Sequence, residues 1–241
     1  MKVIVTKDYE EMSRAAFALL KGVVTSNPRA VLGLATGTTP IGLYREMVLD
    51  HQTTGTSYKE VRTVNLDEYE GLSGDDPQSY RYFMDKNLFD QIDIDKKNTH
   101  LLDGTAKDAD AECARFNRLL SQLPQDIQIL GIGSNGHIAF NEPGTPFESE
   151  THIVTLAEST VHDNARLFAR EEDVPRRAFT MGLKNIMKAK KIVVLANGEN
   201  KAKAILGLVK GEISEGLPAS VLRLHNDCTV IADEAAAKLL G

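Results

Sequence analysis

Apolar residues fall into two alternating kinds of segment along this chain, and the alternation predicts a fold. After a short amino-terminal strand, Met12, Ala15, Ala16, Leu19, Leu20 and Val23 recur at helical spacing, and Ala30 to Ala35 reads as a buried strand. Thr39 and Pro40 predict the start of the next helix, the hydroxyl as cap and the proline in the first turn. Arg62 to Leu66 is a further strand. Asp76 and Pro77 repeat the cap-then-proline signal before a helix reaching about Phe89, and another helix lies between Lys107 and Leu123. Ile127 to Ile132 is apolar again. In the second half the expected strands are Ile153 to Leu156, Lys191 to Ala196 and Thr229 to Ala232, with helical patterns around Leu183 to Ala189 and Lys201 to Lys210.

No internal repeat or low-complexity linker interrupts this order, so residues 1–241 are expected to form a single domain. Apolar strands alternating with helices predict an α/β protein: an open, mainly parallel sheet with helices on both faces, Rossmann-like and doubly wound. Such a fold places functional residues at the carboxyl ends of its strands. Three glycine-rich or acidic clusters fall there: Gly33 to Thr39, Asn65 to Glu70, and Gly131 to Glu142.

Composition narrows the partners. At 241 residues with 42% hydrophobic and 26% charged residues, the chain has the make-up of an ordinary globular protein. Its 28 Lys and Arg against 34 Asp and Glu give a formal charge of -6, which offers no general attraction to nucleic acid or to a membrane surface. An anionic ligand must be held locally. Cys113 and Cys228 form neither a metal-ligand cluster nor a disulfide scaffold, and the amino terminus MKVIVTKDYEE lacks the apolar core of a signal peptide. The expected setting is cytoplasmic.

The first cluster, LGLATGTTPIGLY, combines close backbone approach with three threonines ahead of a helix and reads as a phosphate cradle. Its glycine spacing and missing lysine exclude the common nucleotide P-loop, which leaves a small phosphorylated metabolite. A plain helix cap at Thr39 and a turn at Gly37 explain the same residues without a ligand. In the second, TVNLDEYEGL, adjacent Asp67 and Glu68 cannot aim at one point, so one carboxylate faces the crevice and the other faces elsewhere. A carboxylate there can abstract a proton beside a carbonyl, bind a metal, or belong to a solvated loop. The third, LGIGSNGHIAFNEPG, matches a dinucleotide fingerprint only in spelling, because Pro143 and Gly144 oppose the long helix that the fingerprint opens. Its glycines instead read as a tight strand exit that aims His137 at the crevice, with Glu142 as a candidate carboxylate for the other ring nitrogen; a structural, hydrogen-bonding histidine fits the same residues.

These three blocks, in this order and spacing, together with ENKAKAI from Glu199 to Ile205, resemble the glucosamine-6-phosphate deaminase (glucosamine-6-phosphate isomerase) family, and the likeness runs from the amino terminus to about Asp233. The resemblance implies conversion of D-glucosamine 6-phosphate and water to D-fructose 6-phosphate and ammonia, with no cofactor and no metal. It implies that Asp67 moves a proton between C2 and C1, that His137 assists opening of the sugar ring, and that Glu142 partners the histidine. Asn135 departs from the aspartate of some members; an amide cannot hold charge, so its expected contribution is orientation. For the phosphate, the resemblance points to Thr36, Gly37, Thr38 and Thr39, to Arg166 in NARLF, and to Lys201 in ENKA. Longer members carry a carboxyl-terminal extension and are activated through subunit contacts, whereas this chain stops at Gly241 and leaves monomer or homo-oligomer open. Two other readings stand beside it: a hydrolase resembling 6-phosphogluconolactonase, and a sugar-phosphate sensor without catalysis.

Overall fold

Seven strands of the computed structural model lie side by side in the order β1-β10-β9-β6-β2-β3-β5, and every adjacent pair is parallel. They are β1 (Lys2–Thr6), β2 (Val31–Leu34), β3 (Arg62–Asn65), β5 (Thr99–His100), β6 (Ile127–Leu130), β9 (Ile192–Ala196) and β10 (Cys228–Asp233). The structure describes the whole chain except residues 157, 159, 160, 162–164, 166, 167 and 169.

The central strands are apolar on both faces because both faces are covered. In β9, Ile192, Val194 and Ala196 enter one core with Phe116 and Leu120 of α4 (Ala109–Gln122) and Ile205 and Leu208 of a helix at Ala202–Lys210. Val193 and Leu195 enter the other core. There they meet Met12, Ala16 and Leu20 of α1 (Tyr9–Ser26), Leu43 and Met47 of α2 (Ile41–Thr54), and Met84 of α3 (Tyr80–Asn87). The period-2 split of side chains is the reason for the continuous apolar runs. The expected open, mainly parallel, two-sided sheet is the one observed.

A second sheet was not expected. β4 (Asp67–Tyr69), β8 (Arg177–Thr180) and β7 (His152–Thr155) form a three-stranded antiparallel sheet, and its small core of Tyr69, Phe140, Leu156, Val161, Val174 and Ala178 lies apart from the two main ones. The run Ile153 to Leu156 is therefore a strand of this sheet and not of the parallel one.

Two helix starts differ from expectation. The helix announced by Asp76 and Pro77 begins at Tyr80, with Ser79 accepting the N–H of Tyr82 as its cap, and ends at Asn87. Asp76 instead accepts the N–H of Gln78 and makes the turn in front. α2 begins at Ile41 without a side-chain cap from Thr39, whose hydroxyl donates to Asn197 Oδ1 at 3.1 Å. The Tyr9 hydroxyl takes that end of the helix, accepting the N–H of Gly42 at 2.7 Å and donating to the carbonyl of Thr38. Among the described residues no helix is long and apolar enough to cross a membrane.

Candidate active site

From β2 the chain continues to β3 and β5 on one side, while β6, β9 and β10 are laid down on the other. Such a reversal opens a crevice beyond the carboxyl ends of the two central strands. A cavity of about 790 Å³ occupies it, lined by loops that leave β2, β3, β6 and β9. That volume suits a small-molecule ligand.

Thr36, Gly37, Thr38 and Thr39 all line the cavity. Gly37 has φ 92, a left-handed turn that only glycine enters without strain. The N–H groups of these four residues donate to no acceptor among the described residues. Since Ile41 and Gly42 spend their N–H groups on Thr38 and Tyr9, the donors available to an anion belong to the loop and not to the helix end. Lys201 reaches the same cavity from the single turn that follows β9. That turn is held by Asp233, whose two carboxylate oxygens accept the N–H of Gly198 at 3.1 and 3.0 Å. Arg166 lies outside the described residues.

Asp67 opens β4, lines the cavity and is 6% exposed. Burial, and then the neighbouring Glu68, push its carboxyl up to about 8. Glu68 points the other way, as alternation along a strand requires. Its carboxylate accepts the N–H of Tyr69 at 2.9 Å, of Tyr80 at 2.9 Å and of Arg81 at 3.0 Å, and so closes the exposed start of α3. Burial raises Glu68 to about 7 against the pull of those three bonds.

The histidine loop explains its glycines. A Cβ on Gly133 would sit 2.4 Å from the His137 ring, so the imidazole lies flat over a bare backbone. Asn135 joins two partners: its amide nitrogen donates to Glu142 Oε2 at 2.8 Å and its oxygen accepts the N–H of His137 at 3.1 Å. His137 Nδ1 stands 3.6 Å from Glu142 Oε1. Asn135 thus orients both groups, and Glu142 brings the charge. Beyond the histidine, Ala139 takes a left-handed φ of 51, and the turn is pinned to β8 where the Thr180 hydroxyl accepts the N–H of Phe140. Backbone strain of this kind at a cavity wall persists only where its surroundings hold it.

Sequence reasoning missed the aromatic wall. Tyr69, Tyr80, Phe140 and Phe168 line the cavity, with Tyr69 to Tyr80 ring centres 4.9 Å apart and Tyr80 stacked on Phe140 at 6.1 Å. A signal for Tyr69 was present, since it lies two residues after Asp67 on a strand and shares its face. Asn197, which ties the β9 loop to the β2 loop through Thr39, carried no such signal.

The fold and cavity define an open α/β protein with a small-molecule-sized cavity at its switch point, lined by Asp67, His137, Lys201 and the N–H-bearing loop from Thr36 to Thr39. The chain belongs to the glucosamine-6-phosphate isomerases/6-phosphogluconolactonase family, whose model matches residues 8–231. It is 50% identical over 241 residues to the glucosamine-6-phosphate deaminase of Thermoanaerobacter sp. (strain X514), covering 100% of this chain and 95% of that protein. It is 51% identical over 238 residues to that of Bacillus velezensis (strain DSM 23117 / BGSC 10A6 / LMG 26770 / FZB42), covering 98% and 99%. A solved structure of a monomeric glucosamine-6-phosphate deaminase superposes with a TM-score of 0.98 at 48% identity, covering 99% of this chain and 100% of that one. The 6-phosphogluconolactonase of Leishmania guyanensis, at TM-score 0.79 and 23% identity over 100% of this chain and 98% of that one, shares the fold.

Proposed function

We propose that this protein converts D-glucosamine 6-phosphate and water to D-fructose 6-phosphate and ammonia, and that it does so as a monomer, like its structural relative. The observation that carries the reading is a buried carboxyl, Asp67, facing a cavity that also holds an unengaged set of backbone donors and a lysine. Whole-length identity near 50% to deaminases of that name supports it.

In this reading the loop from Thr36 to Thr39, with Lys201 and Arg166, binds the phosphate, and charge-assisted donors there fix the sugar in register. His137, oriented by Glu142 and Asn135, moves the proton that opens the pyranose ring. Asp67 then takes the proton from C2 and returns it to C1, a positioned general base worth about 100-fold or more. The double bond formed at C2 to nitrogen takes up water and releases ammonia. Tyr69, Tyr80, Phe140 and Phe168 give the sugar an apolar face to pack on and keep bulk water from the carbanion-like intermediate.

Purified protein, without added metal or nicotinamide, should release ammonia and fructose 6-phosphate in equal amounts from glucosamine 6-phosphate and should not speed acid release from 6-phosphogluconolactone above its spontaneous rate. Acid release from the lactone without ammonia would replace this reading with a hydrolase. Binding of the amino sugar phosphate without turnover would replace it with a sensor.

A further inference from the structure

Two buried carboxyls stand side by side at the start of β4, and no basic side chain among the described residues balances either one. Asp67 faces the cavity. Glu68 takes no part in the cavity wall and spends its oxygens on the N–H groups of Tyr69, Tyr80 and Arg81. Those bonds hold its charge in one place behind Asp67. Lys201 lines the same cavity from the turn that follows β9.

A carboxylate buried without a counter-charge holds a proton instead, and a second carboxyl next along the chain strengthens that hold through its charge. Burial first and the neighbour second raise Asp67; burial first raises Glu68. The three N–H bonds to Glu68 favour its charged form, and no positive side chain among the described residues relieves Asp67. Tyr44 from α2 and Tyr80 from α3 are kept neutral by burial, Tyr69 of β4 brings no positive charge, and Asp76 from the turn before α3 adds to the negative side. His137 and Lys201 line the same cavity from the β6 and β9 loops, and neither makes an ion pair or hydrogen bond with Asp67 or Glu68.

Building on the deaminase reading, we propose that Asp67, backed by Glu68, keeps a proton while the cavity holds no substrate, and that the ammonium on C2 of the substrate displaces that proton to solvent. A base in contact with the hydrogen on C2 lies beside the nitrogen carried by the same carbon. The substrate therefore brings the counter-charge that readies Asp67 to act, and the displaced proton leaves to the buffer while the ammonium keeps its own. A sugar phosphate with a hydroxyl at C2 brings none. Discrimination against it falls at proton abstraction and not at binding, and Glu68 is the positioning residue that enforces it.

The test uses two alditols that lack a carbonyl and so bind without reacting, 2-amino-2-deoxyglucitol 6-phosphate and glucitol 6-phosphate. Each is titrated calorimetrically into the protein at about pH 6.5, where the amine is fully protonated, in buffers of different ionisation enthalpy. The amino alditol should release about one more proton per site than glucitol 6-phosphate. Equal proton counts would overturn the proposal. Deamination of glucosamine 6-phosphate by the same preparation, measured alongside, assigns equal counts to failure of this inference and not of the deaminase reading. In Glu68→Gln the difference in proton count should shrink and the acid limb of kcat/KM should move to lower pH. Exchange of the C2 proton of glucose 6-phosphate relative to that of glucosamine 6-phosphate should rise by about tenfold, the effect of one unit of acidity. A residue that merely caps α3 would slow both substrates alike and leave the acid limb in place, and that outcome would overturn the role of Glu68.

Discussion

Replacing Asp67 with Asn isolates the electrostatic cost of the site in the absence of substrate. In the unfolded chain this carboxyl ionises above pH of about 4. In the folded protein burial keeps it protonated until about 8. Between those values the folded state binds more protons than the unfolded one, so the parent loses stability as pH rises, by about 1.4 kcal/mol for each unit. Above the folded value both states are ionised and the loss stops growing. An amide has no proton to lose. The variant should therefore match the parent near pH 4 apart from a constant offset, gain on it as pH rises, and level off above 8. The full separation sets a ceiling of about 5 kcal/mol. Relaxation and water entry around a buried charge lower such ceilings, and about 2 kcal/mol is the expected gain, equal to about 4–8 °C in Tm for a chain of this size. Thermal unfolding followed by circular dichroism, without ligand, at several pH values between about 4 and 9 reads this directly. The same variant should lose turnover by about 100-fold or more. A Tm difference that stayed constant across this range would refute the reasoning, because an ionisable group that costs stability must do so with a pH dependence.

Three further outcomes follow from individual contacts. Gly133→Ala should lower kcat by at least about tenfold with KM near the parent value, because its Cβ would meet the His137 ring at 2.4 Å and turn the imidazole out of line; a parent-like kcat would separate that ring from catalysis. Lys201→Ala should raise KM more than Thr38→Val does, since a charged donor is worth about 1.5–3 kcal/mol and a neutral one about 1; steady-state kinetics with no change in either KM would empty the proposed phosphate cradle. Ser79→Ala should cost about 1 kcal/mol in urea unfolding and Asp76→Ala less, because the cap of α3 is Ser79; the reverse order would return the cap to Asp76.

Most of the parallel sheet was legible in the sequence because its strands are buried on both faces, and continuous apolar runs such as Ile127 to Leu130 and Ile192 to Ala196 have no competing explanation. The second sheet was not. β4 reads Asp-Glu-Tyr, two acids that oppose a strand by composition, and it forms because its backbone pairs with β8 while Glu68 takes three N–H groups. β8 is four residues long and carries no period of its own. Helix starts misled for a related reason: Thr39 and Asp76 are good caps by type, yet tertiary partners claimed them or their helix, Asn197 for the first and Glu68 with Ser79 for the second.

The site was legible where one residue does one thing. Asp67, His137, Glu142 and the threonine loop were each marked by type and by position after a strand, and Asp67, His137, Thr36 to Thr39 and Lys201 all line one cavity. What the chain does not display locally is the part that spaces them. Thr180, in β8, pairs in register with Asp67 on one side and His152 on the other, and its hydroxyl accepts the N–H of Phe140 in the turn that follows His137. Next to it, the Met181 carbonyl accepts from the Asn141 amide and the Met181 N–H donates to the carbonyl of Leu66. One short strand thus grips the backbone on both the carboxylate and the histidine sides of the cavity. Bonds of this kind, each worth about 1 kcal/mol, are individually small. Acting together they hold two loops that leave different strands of the main sheet, β3 and β6, in a single fixed relation, and proton transfers that depend on sub-ångström placement require such a brace. A strand that lends no side chain to the cavity lining thus fixes the relation between the loops that do.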